Sequence, residues 1–342
     1  MTGDKIRIGL FDAKKYDRQY FDEAVAAAND AEPDRYEIKY YEMRLNPDTA
    51  RLAEGHDAVC VFVNDEVGEA SISRLAAAGV RLIALRCAGY NNVDLGAAAR
   101  AGIPVVRVPA YSPYAVAEHT VALLLCLNRK IHRAFNRVRE GNFSLQGLVG
   151  FDLFGKTFGI VGTGRIGRIL AGIARGFGCR VLVSDKFPDE AWAREAGAEY
   201  VPREQLYAES DFISLLAPLN HETYHMINFH SLALMKPNVI IVNTSRGGLV
   251  DTAALVEALK ARRIGGACLD VYEEEAGVFY QDLSDSTIPD DVLARLLTFN
   301  NVLITSHQAF LTSEALVNIA GTTLESIRQF AAGQELANRV SE

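Results

Sequence analysis

Polar side chains that could bind and protonate an organic acid follow two of the strands that the sequence predicts. Arg246 comes shortly after the apolar run 239–242, and a guanidinium can bind a carboxylate through two N–H groups. His307 follows the run 302–305, and an imidazole has an unperturbed pKa, about 6.5, that suits proton transfer near neutral pH. Open α/β sheets bind ligands at the carboxyl ends of their strands, which favours a site here. A surface Arg and a structural His remain alternatives, since the chain has seven histidines.

A run of carboxylates follows a third predicted strand, at 266–269. It begins at Asp270 and continues with Glu273, Glu274 and Glu275. A carboxylate run is usually a solvated turn, and we interpret Glu273 and Glu274 in that way.

The stretch His221-Glu222-Thr223-Tyr224-His225 matches the His-Glu-x-x-His signature of zinc proteases. Zinc would need both histidines on one helix face and a third protein ligand. The long form of the motif would have another His at position 231, where this chain has Ser231. The stretch also lies in the connection after a predicted strand. We therefore predict no metal site.

A dinucleotide fingerprint stands in the middle of the chain. The predicted strand 157–161 leads into Gly162-Thr163-Gly164-Arg165-Ile166-Gly167, and a helical pattern follows. Gly162 would allow a tight turn, Gly164 a close approach to a pyrophosphate, and Gly167 close packing of helix on strand. The next predicted strand, 180–184, ends at Asp185.

An acidic residue about 20 positions beyond such a loop can bind the adenosine ribose hydroxyls. Because the Asp185 carboxylate would repel a 2′-phosphate, we predict NAD rather than NADP. Lys186 follows directly and could soften that preference.

Composition indicates a soluble globular protein with one large or two ordinary domains. The chain has 342 residues, of which 49% are hydrophobic and 23% charged, and a net charge of -8. That charge argues against nucleic acid and anionic membrane surfaces as partners. The five scattered cysteines favour buried reduced thiols, and the N-terminal residues show no signal-peptide pattern, so we expect a cytoplasmic protein.

Strand-like and helix-like runs alternate along the whole chain, which indicates a parallel α/β fold. Outside the segments above, strands are predicted at 6–11, 58–63, 81–85 and 212–216, and helices after Tyr20 and at 71–78, 229–235, 252–262, 290–296 and 313–332. Pro113 predicts the start of a long helix from Tyr114 to about Glu140, about 40 Å in length. Its middle, 121–125, is apolar all round and should be buried, in part at a dimer interface.

Several of these motifs together resemble the NAD-dependent D-2-hydroxyacid dehydrogenases, and within that family the branch of fermentative D-lactate dehydrogenases. The resemblance extends over nearly the whole chain. Besides the fingerprint it rests on Arg86–Asp94, Val108–Pro113, Ala117–His119, Asn243–Gly247, Leu269–Glu273 and Thr305–Ala309.

The resemblance implies two parallel-sheet α/β domains of Rossmann or flavodoxin type. A substrate domain would take residues 1–110 and 311–342, with a dinucleotide-binding domain, 111–310, inserted in it. The family's catalytic Arg, Glu and His would fall on Arg246, Glu275 and His307. NAD contacts would come from Gly162, Gly164, Arg165, Ile166, Gly167, Asp185, Pro218, Thr244 and Asp270, and substrate contacts from Cys87, Ala88, Gly89, Tyr111 and Phe310.

The implied activity is NADH-dependent reduction of a small 2-oxo acid, with pyruvate to D-lactate as the leading expectation. Arg246 would bind the carboxylate, His307 would donate the proton, and Glu275 would orient His307. Hydroxypyruvate, glyoxylate and bulkier 2-oxo acids stay open as alternative substrates. A role as an NAD-sensing scaffold stays open too, although an intact set of three catalytic residues argues against it. We expect a homodimer or a higher homo-oligomer.

Overall fold

The computed structural model describes residues 5–32, 34–275 and 277–341. The chain divides into two compact units: Met1–Ser112 with Leu311–Glu342, and Pro113–Phe310. We call them the first and the second unit. The first unit ends two residues later than the predicted boundary, at the residue before the helix that begins with Pro113. Proline suits this first helical position because its ring fixes φ and the N–H that it lacks would have no partner in the helix.

The first unit is a six-stranded sheet covered by helices. Its strands are β1 (Ile6–Leu10), β2 (Tyr36–Tyr40), β3 (Ala58–Val61), β4 (Leu82–Leu85), β5 (Val105–Arg107) and, at the end of the chain, β13 (Arg339–Val340). Its helices are α1 (Lys15–Ala31), α2 (Glu69–Ala77), α3 (Leu95–Arg100) and α12 (Ser313–Ala331). The strand order is β13-β5-β4-β3-β1-β2, parallel except for β13. The five parallel strands thus have the flavodoxin-like order 2-1-3-4-5.

The apolar runs predicted at 58–63 and 81–85 form β3 and β4, in which every residue is buried. Strands with helices on both faces need such continuous apolar runs. The predictions missed β2, β5 and β13. Two of these have only two or three residues, and β2 (YEIKY) alternates polar with apolar side chains.

The second unit is a seven-stranded parallel sheet. Its strands are β6 (Thr157–Val161), β7 (Arg180–Ser184), β8 (Ala198–Tyr200), β9 (Phe212–Leu215), β10 (Ile240–Asn243), β11 (Gly266–Leu269) and β12 (Val302–Ile304). Its helices are α4 (Pro113–Asn128), α5 (Ile131–Arg139), α6 (Arg165–Gly176), α7 (Glu190–Ala196), α8 (Arg203–Glu209), α9 (Phe229–Leu234), α10 (Thr252–Lys260) and α11 (Asp291–Leu297). The strand order β12-β11-β10-β9-β6-β7-β8 reverses direction between β6 and β9. That reversal is the switch point at which a Rossmann fold binds its dinucleotide.

The single long helix predicted from Tyr114 to Glu140 was wrong. Two helices, α4 and α5, stand in its place, because Lys130 adopts a left-handed backbone conformation with φ 52°. The Lys130 Nζ donates to the carbonyl of Val149 (2.7 Å), and the Asn128 amide bonds both backbone groups of Phe151. These distant contacts fix the break. The centre of α4 is largely buried as predicted, whereas α5 has no buried residue.

Among the described residues, no helix is both long and apolar enough to cross a membrane.

Candidate active site

The fingerprint loop joins β6 to α6 and has room for a pyrophosphate. Gly162 has φ 102°, and a Cβ there would come within 2.7 Å of the Leu216 carbonyl. A Cβ on Gly167 would overlap the carbonyl oxygen of Gly162, whereas one on Gly164 would meet nothing within 4 Å. Helix α6 begins at Arg165 with no side chain capping its first N–H groups. Free N–H groups at a helix N-terminus suit a phosphate, so these residues fit a bound dinucleotide.

Asp185 follows β7 and reaches back to the fingerprint. Its Oδ2 accepts hydrogen bonds from the Thr163 N–H (2.6 Å) and hydroxyl (3.1 Å), and its Oδ1 accepts from the Phe187 N–H (2.9 Å). Burial alone would raise the pKa of this carboxyl, but these bonds lower it below its usual value. The Lys186 Nζ lies 2.7 and 2.8 Å from the two carboxylate oxygens of Glu222, so a carboxylate on this chain already balances its charge.

The other predicted cofactor contacts also follow strands of this sheet. Ile166 lies in the first turn of α6. Pro218 is exposed after β9, and its carbonyl accepts from the Thr223 hydroxyl. Thr244 is buried after β10, with its hydroxyl 2.8 Å from that of Thr120 on α4. These positions lie at the carboxyl edge of the sheet, where a Rossmann fold binds its ligand. The individual contacts stay predictions.

Asp270, directly after β11, is fully buried and organises the turn that carries His307. Its carboxylate accepts from the N–H groups of Gln308 and Ala309 (2.9 Å each) and from the Thr305 hydroxyl (2.5 Å). Its carbonyl accepts from the His307 N–H at 2.7 Å. Burial alone would raise the pKa of this carboxyl, but its many donors hold it below the usual value. As it stands, Asp270 is an anchor for the 307–309 turn, and its predicted contact with the cofactor stays a prediction.

His119 on α4 joins the same cluster, although the sequence predicted no role for it. Its Nε2 lies 3.4 Å from an Asp270 carboxylate oxygen and 3.3 Å from the Thr305 hydroxyl. The Ala117–His119 motif could have pointed to it, but nothing in the local sequence links it with a residue 151 positions away.

His307 and Glu275 form the predicted pair. The His307 Nδ1 lies 3.0 Å from the Glu275 Oε1, with the two side chains 19% and 24% exposed. A carboxylate acceptor at Nδ1 requires a proton there and leaves Nε2 as the nitrogen able to exchange a proton. His307 has φ 48°, and the Tyr280 hydroxyl donates to its carbonyl (2.9 Å), so the backbone of this turn is tightly specified. The pair has the geometry of an oriented acid–base catalyst.

Arg246 follows β10 at the same edge of the sheet. One guanidinium nitrogen donates to the Ser245 carbonyl (2.7 Å), and among the described residues no carboxylate lies within 4.0 Å of the group. The next residue, Gly247, lies so close to the loop after β11 that a Cβ would overlap the Tyr272 carbonyl. That contact brings the Arg246 loop against the loop that carries Glu275. The structure thus places all three predicted catalytic residues at one edge of one sheet.

The interpretation of Glu273 as part of a solvated turn was wrong. Its carboxylate pairs with the His225 Nε2, accepts from the Thr252 hydroxyl (3.0 Å) and is 21% exposed. The stretch His221–His225 forms turns rather than a helix, so its histidines do not share a helix face. No cluster of three or more metal-ligating side chains occurs in residues 5–32, 34–275 and 277–341.

The predicted substrate residues are divided between the units. Cys87, Ala88 and Gly89 follow β4 in the first unit. They come directly after Arg86, which is 2% exposed and paired with Asp17 at 3.2 Å. Tyr111 also belongs to the first unit, where its carbonyl accepts from the Asn318 amide (2.6 Å). Phe310 is the last residue of the second unit and is buried.

Comparisons with known proteins identify the family. Residues 121–309 match the family model described as "D-isomer specific 2-hydroxyacid dehydrogenase, NAD binding domain". A D-lactate dehydrogenase of Escherichia coli is 46% identical over 335 residues, which cover 98% of this chain and 100% of the relative. The chain belongs to the D-isomer-specific 2-hydroxyacid dehydrogenase family.

Two further matches agree. A 2-hydroxyacid dehydrogenase homologue of Haemophilus influenzae is 48% identical over 335 residues, covering 98% of this chain and 99% of the relative. A solved structure described as the pyruvate reductase of Chlamydomonas reinhardtii superposes with a TM-score of 0.92 at 42% identity, covering 98% of each chain. The predicted fold class, enzyme class and cofactor are confirmed: this is an NAD-dependent 2-hydroxyacid dehydrogenase with two parallel-sheet α/β domains.

Proposed function

We propose that the protein reduces pyruvate to D-lactate with NADH. The observation that carries this proposal is the His307–Glu275 pair, 3.0 Å apart, at the same sheet edge as Arg246 and the dinucleotide fingerprint. Support for the substrate comes from relatives named D-lactate dehydrogenase and pyruvate reductase.

Each residue has a chemical task in this reaction. Bound NADH supplies the hydride that reduces the keto carbon. Arg246, whose guanidinium has no carboxylate partner among the described residues of the second unit, binds the substrate carboxylate and polarises the carbonyl. His307, protonated on both nitrogens, gives the Nε2 proton to the oxygen that gains negative charge. Glu275 accepts from the Nδ1–H, which fixes the ring and stabilises the imidazolium.

Substrate and cofactor contacts follow the family pattern. We assign the substrate to Cys87, Ala88, Gly89, Tyr111 and Phe310. We assign the pyrophosphate to Gly162, Gly164, Arg165, Ile166 and Gly167, and the adenosine ribose to Asp185. Pro218, Thr244 and Asp270 complete the assigned NAD contacts. In each unit the assigned loop follows the carboxyl end of a parallel strand.

A substrate panel tests the proposal. NADH oxidation is measured with pyruvate, hydroxypyruvate, glyoxylate and 2-oxoisocaproate at equal concentrations. We expect kcat/KM to be highest for pyruvate. A higher value for another acid would replace the substrate, and no oxidation with any of them, despite NADH binding, would favour the scaffold alternative.

We also propose that the enzyme is a homodimer joined through the segment 131–154. Seven apolar side chains in this segment are half or more exposed: Ile131, Phe135, Val138, Phe143, Leu145, Val149 and Phe154. So much exposed apolar surface in one segment is unusual for a monomer. Light scattering should give twice the mass of one chain, and Phe135→Asp with Leu145→Glu should reduce it to one chain. A monomeric wild type would contradict this.

We place the enzyme in the cytoplasm. Its five cysteines are reduced thiols, and four of them are buried, which suits a reducing compartment.

A further inference from the structure

The loop after β4 in the first unit has three consecutive carbonyl groups that each accept a hydrogen bond. The Cys87 carbonyl accepts from the Val108 N–H (3.2 Å), and the Ala88 carbonyl from the Arg107 guanidinium (2.8 Å). The Gly89 carbonyl accepts from the Cys87 thiol at 3.3 Å. Three peptide planes in succession therefore have a fixed orientation.

These planes determine where the loop's donors point. In a trans peptide the C=O and the following N–H point in opposite directions. The N–H groups of Ala88, Gly89 and Tyr90 thus face away from the groups that hold the carbonyls. Within the described part of the chain, none of these three N–H groups has an acceptor. A row of free N–H groups on a loop suits a carboxylate.

Arg107, at the end of β5, donates to the Ala88 carbonyl and so orients the middle one of the three peptides. Its guanidinium carbon lies 5.0 Å from the centroid of the Tyr90 ring, so the side chain contacts the loop at two points. Across the described residues, no carboxylate comes within 4.0 Å of the Arg107 guanidinium. Its positive charge therefore acts mainly on the Ala88 carbonyl, to which it donates. A cation on a peptide carbonyl polarises that peptide and strengthens its N–H as a donor.

We propose that Arg107 is a positioning residue for substrate binding. It holds the Ala88–Gly89 peptide so that the Gly89 N–H faces the carboxylate of the 2-oxo acid. This inference rests on the proposed function, which assigns the loop 87–89 to the substrate, and it makes the Gly89 N–H a second partner of the carboxylate that Arg246 binds.

Substitution of Arg107 separates positioning from catalysis. In Arg107→Ala we expect KM for pyruvate to rise about ten-fold, since a charge-assisted hydrogen bond is lost. The turnover number, KM for NADH and Tm should stay close to wild type. Arg107→Lys, which keeps the charge and one donor, should recover most of the change. Arg100→Gln, which changes an exposed arginine of the same unit that pairs with Glu69, is the control and should leave all of these quantities unchanged.

Oxamate, a carboxylate analogue of pyruvate that is not reduced, measures the same contact without turnover. Its Kd for the NADH-loaded enzyme should also rise about ten-fold in Arg107→Ala. Unchanged values for pyruvate and oxamate in an active Arg107→Ala enzyme would overturn the role of Arg107. So would equal losses of Tm, NADH binding and turnover. If the wild type oxidises NADH with none of the 2-oxo acids, that result would instead refute the proposed function.

Discussion

Asp65 in the first unit and Asp270 in the second are both buried carboxylates that hold loops at strand ends, yet their pKa values shift in opposite directions. Asp65 accepts from the N–H groups of Leu45 (2.6 Å) and Phe62 (2.5 Å). Burial raises its pKa to about 6, although the nearby Arg86 charge and both N–H groups oppose the rise. Burial acts on Asp270 in the same direction, but its larger set of donors lowers the pKa below the usual value.

The difference shows that burial alone does not decide the charge of a carboxylate. Asp270 has two N–H groups, a hydroxyl and His119 around its two oxygens, so it stays ionised and anchors the His307 turn at neutral pH. Among the described residues, two N–H groups donate to the Asp65 carboxylate, which changes protonation near pH 6. The anchor beneath the proposed catalytic pair therefore keeps its charge at pH 6, where the one in the first unit is about half protonated.

We expect the largest effect on activity from a substitution of His307, which lies in the turn that Asp270 supports. His307→Ala removes the proton donor, and we expect kcat to fall about 1,000-fold, within the range typical of general acid catalysis. NADH binding, followed by fluorescence titration, should be unchanged. His230→Ala, an exposed histidine of the same unit, is the control. Normal turnover in His307→Ala would contradict the assignment.

Removing each aspartate compares the two anchors directly. Asp270→Ala leaves two N–H groups and the Thr305 hydroxyl without their acceptor, so the free energy of unfolding should fall by about 3 kcal/mol. Turnover should fall as well, because the His307 turn loses its support. Asp65→Ala also frees two N–H groups, but it relieves a costly buried charge, so its loss should be smaller. Urea denaturation at pH 7.5 measures both, and equal losses would contradict the comparison.

The pH dependence should have opposite signs for the two anchors. The folded pKa of Asp65, about 6, lies above the unfolded value near 3.9. Its ionisation therefore costs stability above pH 6, and the cost disappears as the pH falls toward 4. The folded pKa of Asp270 lies below its unfolded value, so its stabilisation is complete above about pH 4 and is lost in more acidic solution.

The matching asparagine variants test these signs. The deficit of Asp65→Asn relative to wild type should grow between pH 7.5 and 5, because protonation of Asp65 stabilises the wild type there and the variant has no carboxyl at this position. The deficit of Asp270→Asn should shrink between pH 4.5 and 3. Thermal unfolding across both pH ranges gives the slope of each deficit against pH. Two slopes of the same sign would refute the account.

A third carboxylate, Asp185, is only partly buried and should have the smallest effect on stability. Asp185→Ser removes the charge that repels a 2′-phosphate, so the ratio of kcat/KM for NADPH to that for NADH should rise about ten-fold. Glu222→Gln frees Lys186 from its ion pair and so leaves its charge available to a 2′-phosphate. The ratio should rise only about two-fold, because an exposed ion pair restrains Lys186 only weakly. An unchanged ratio in Asp185→Ser would remove Asp185 from cofactor selection.

The sequence predicted what depends on local pattern. The fingerprint, Asp185 and the strands that precede Arg246 and His307 all have short-range signals of glycine spacing or apolar runs. It did not predict that Asp270 holds the 307–309 turn or that His119 joins it, since these contacts depend on which strands become neighbours. The break at Lys130 was missed for the same reason, because contacts with Val149 and Phe151 override a local helical pattern.

The most direct test of the central claim is the configuration of the lactate formed from pyruvate and NADH. We predict D-lactate from the wild type, equimolar with the NADH consumed, and almost none from His307→Ala at equal NADH occupancy. L-lactate, or undiminished D-lactate from His307→Ala, would contradict the account.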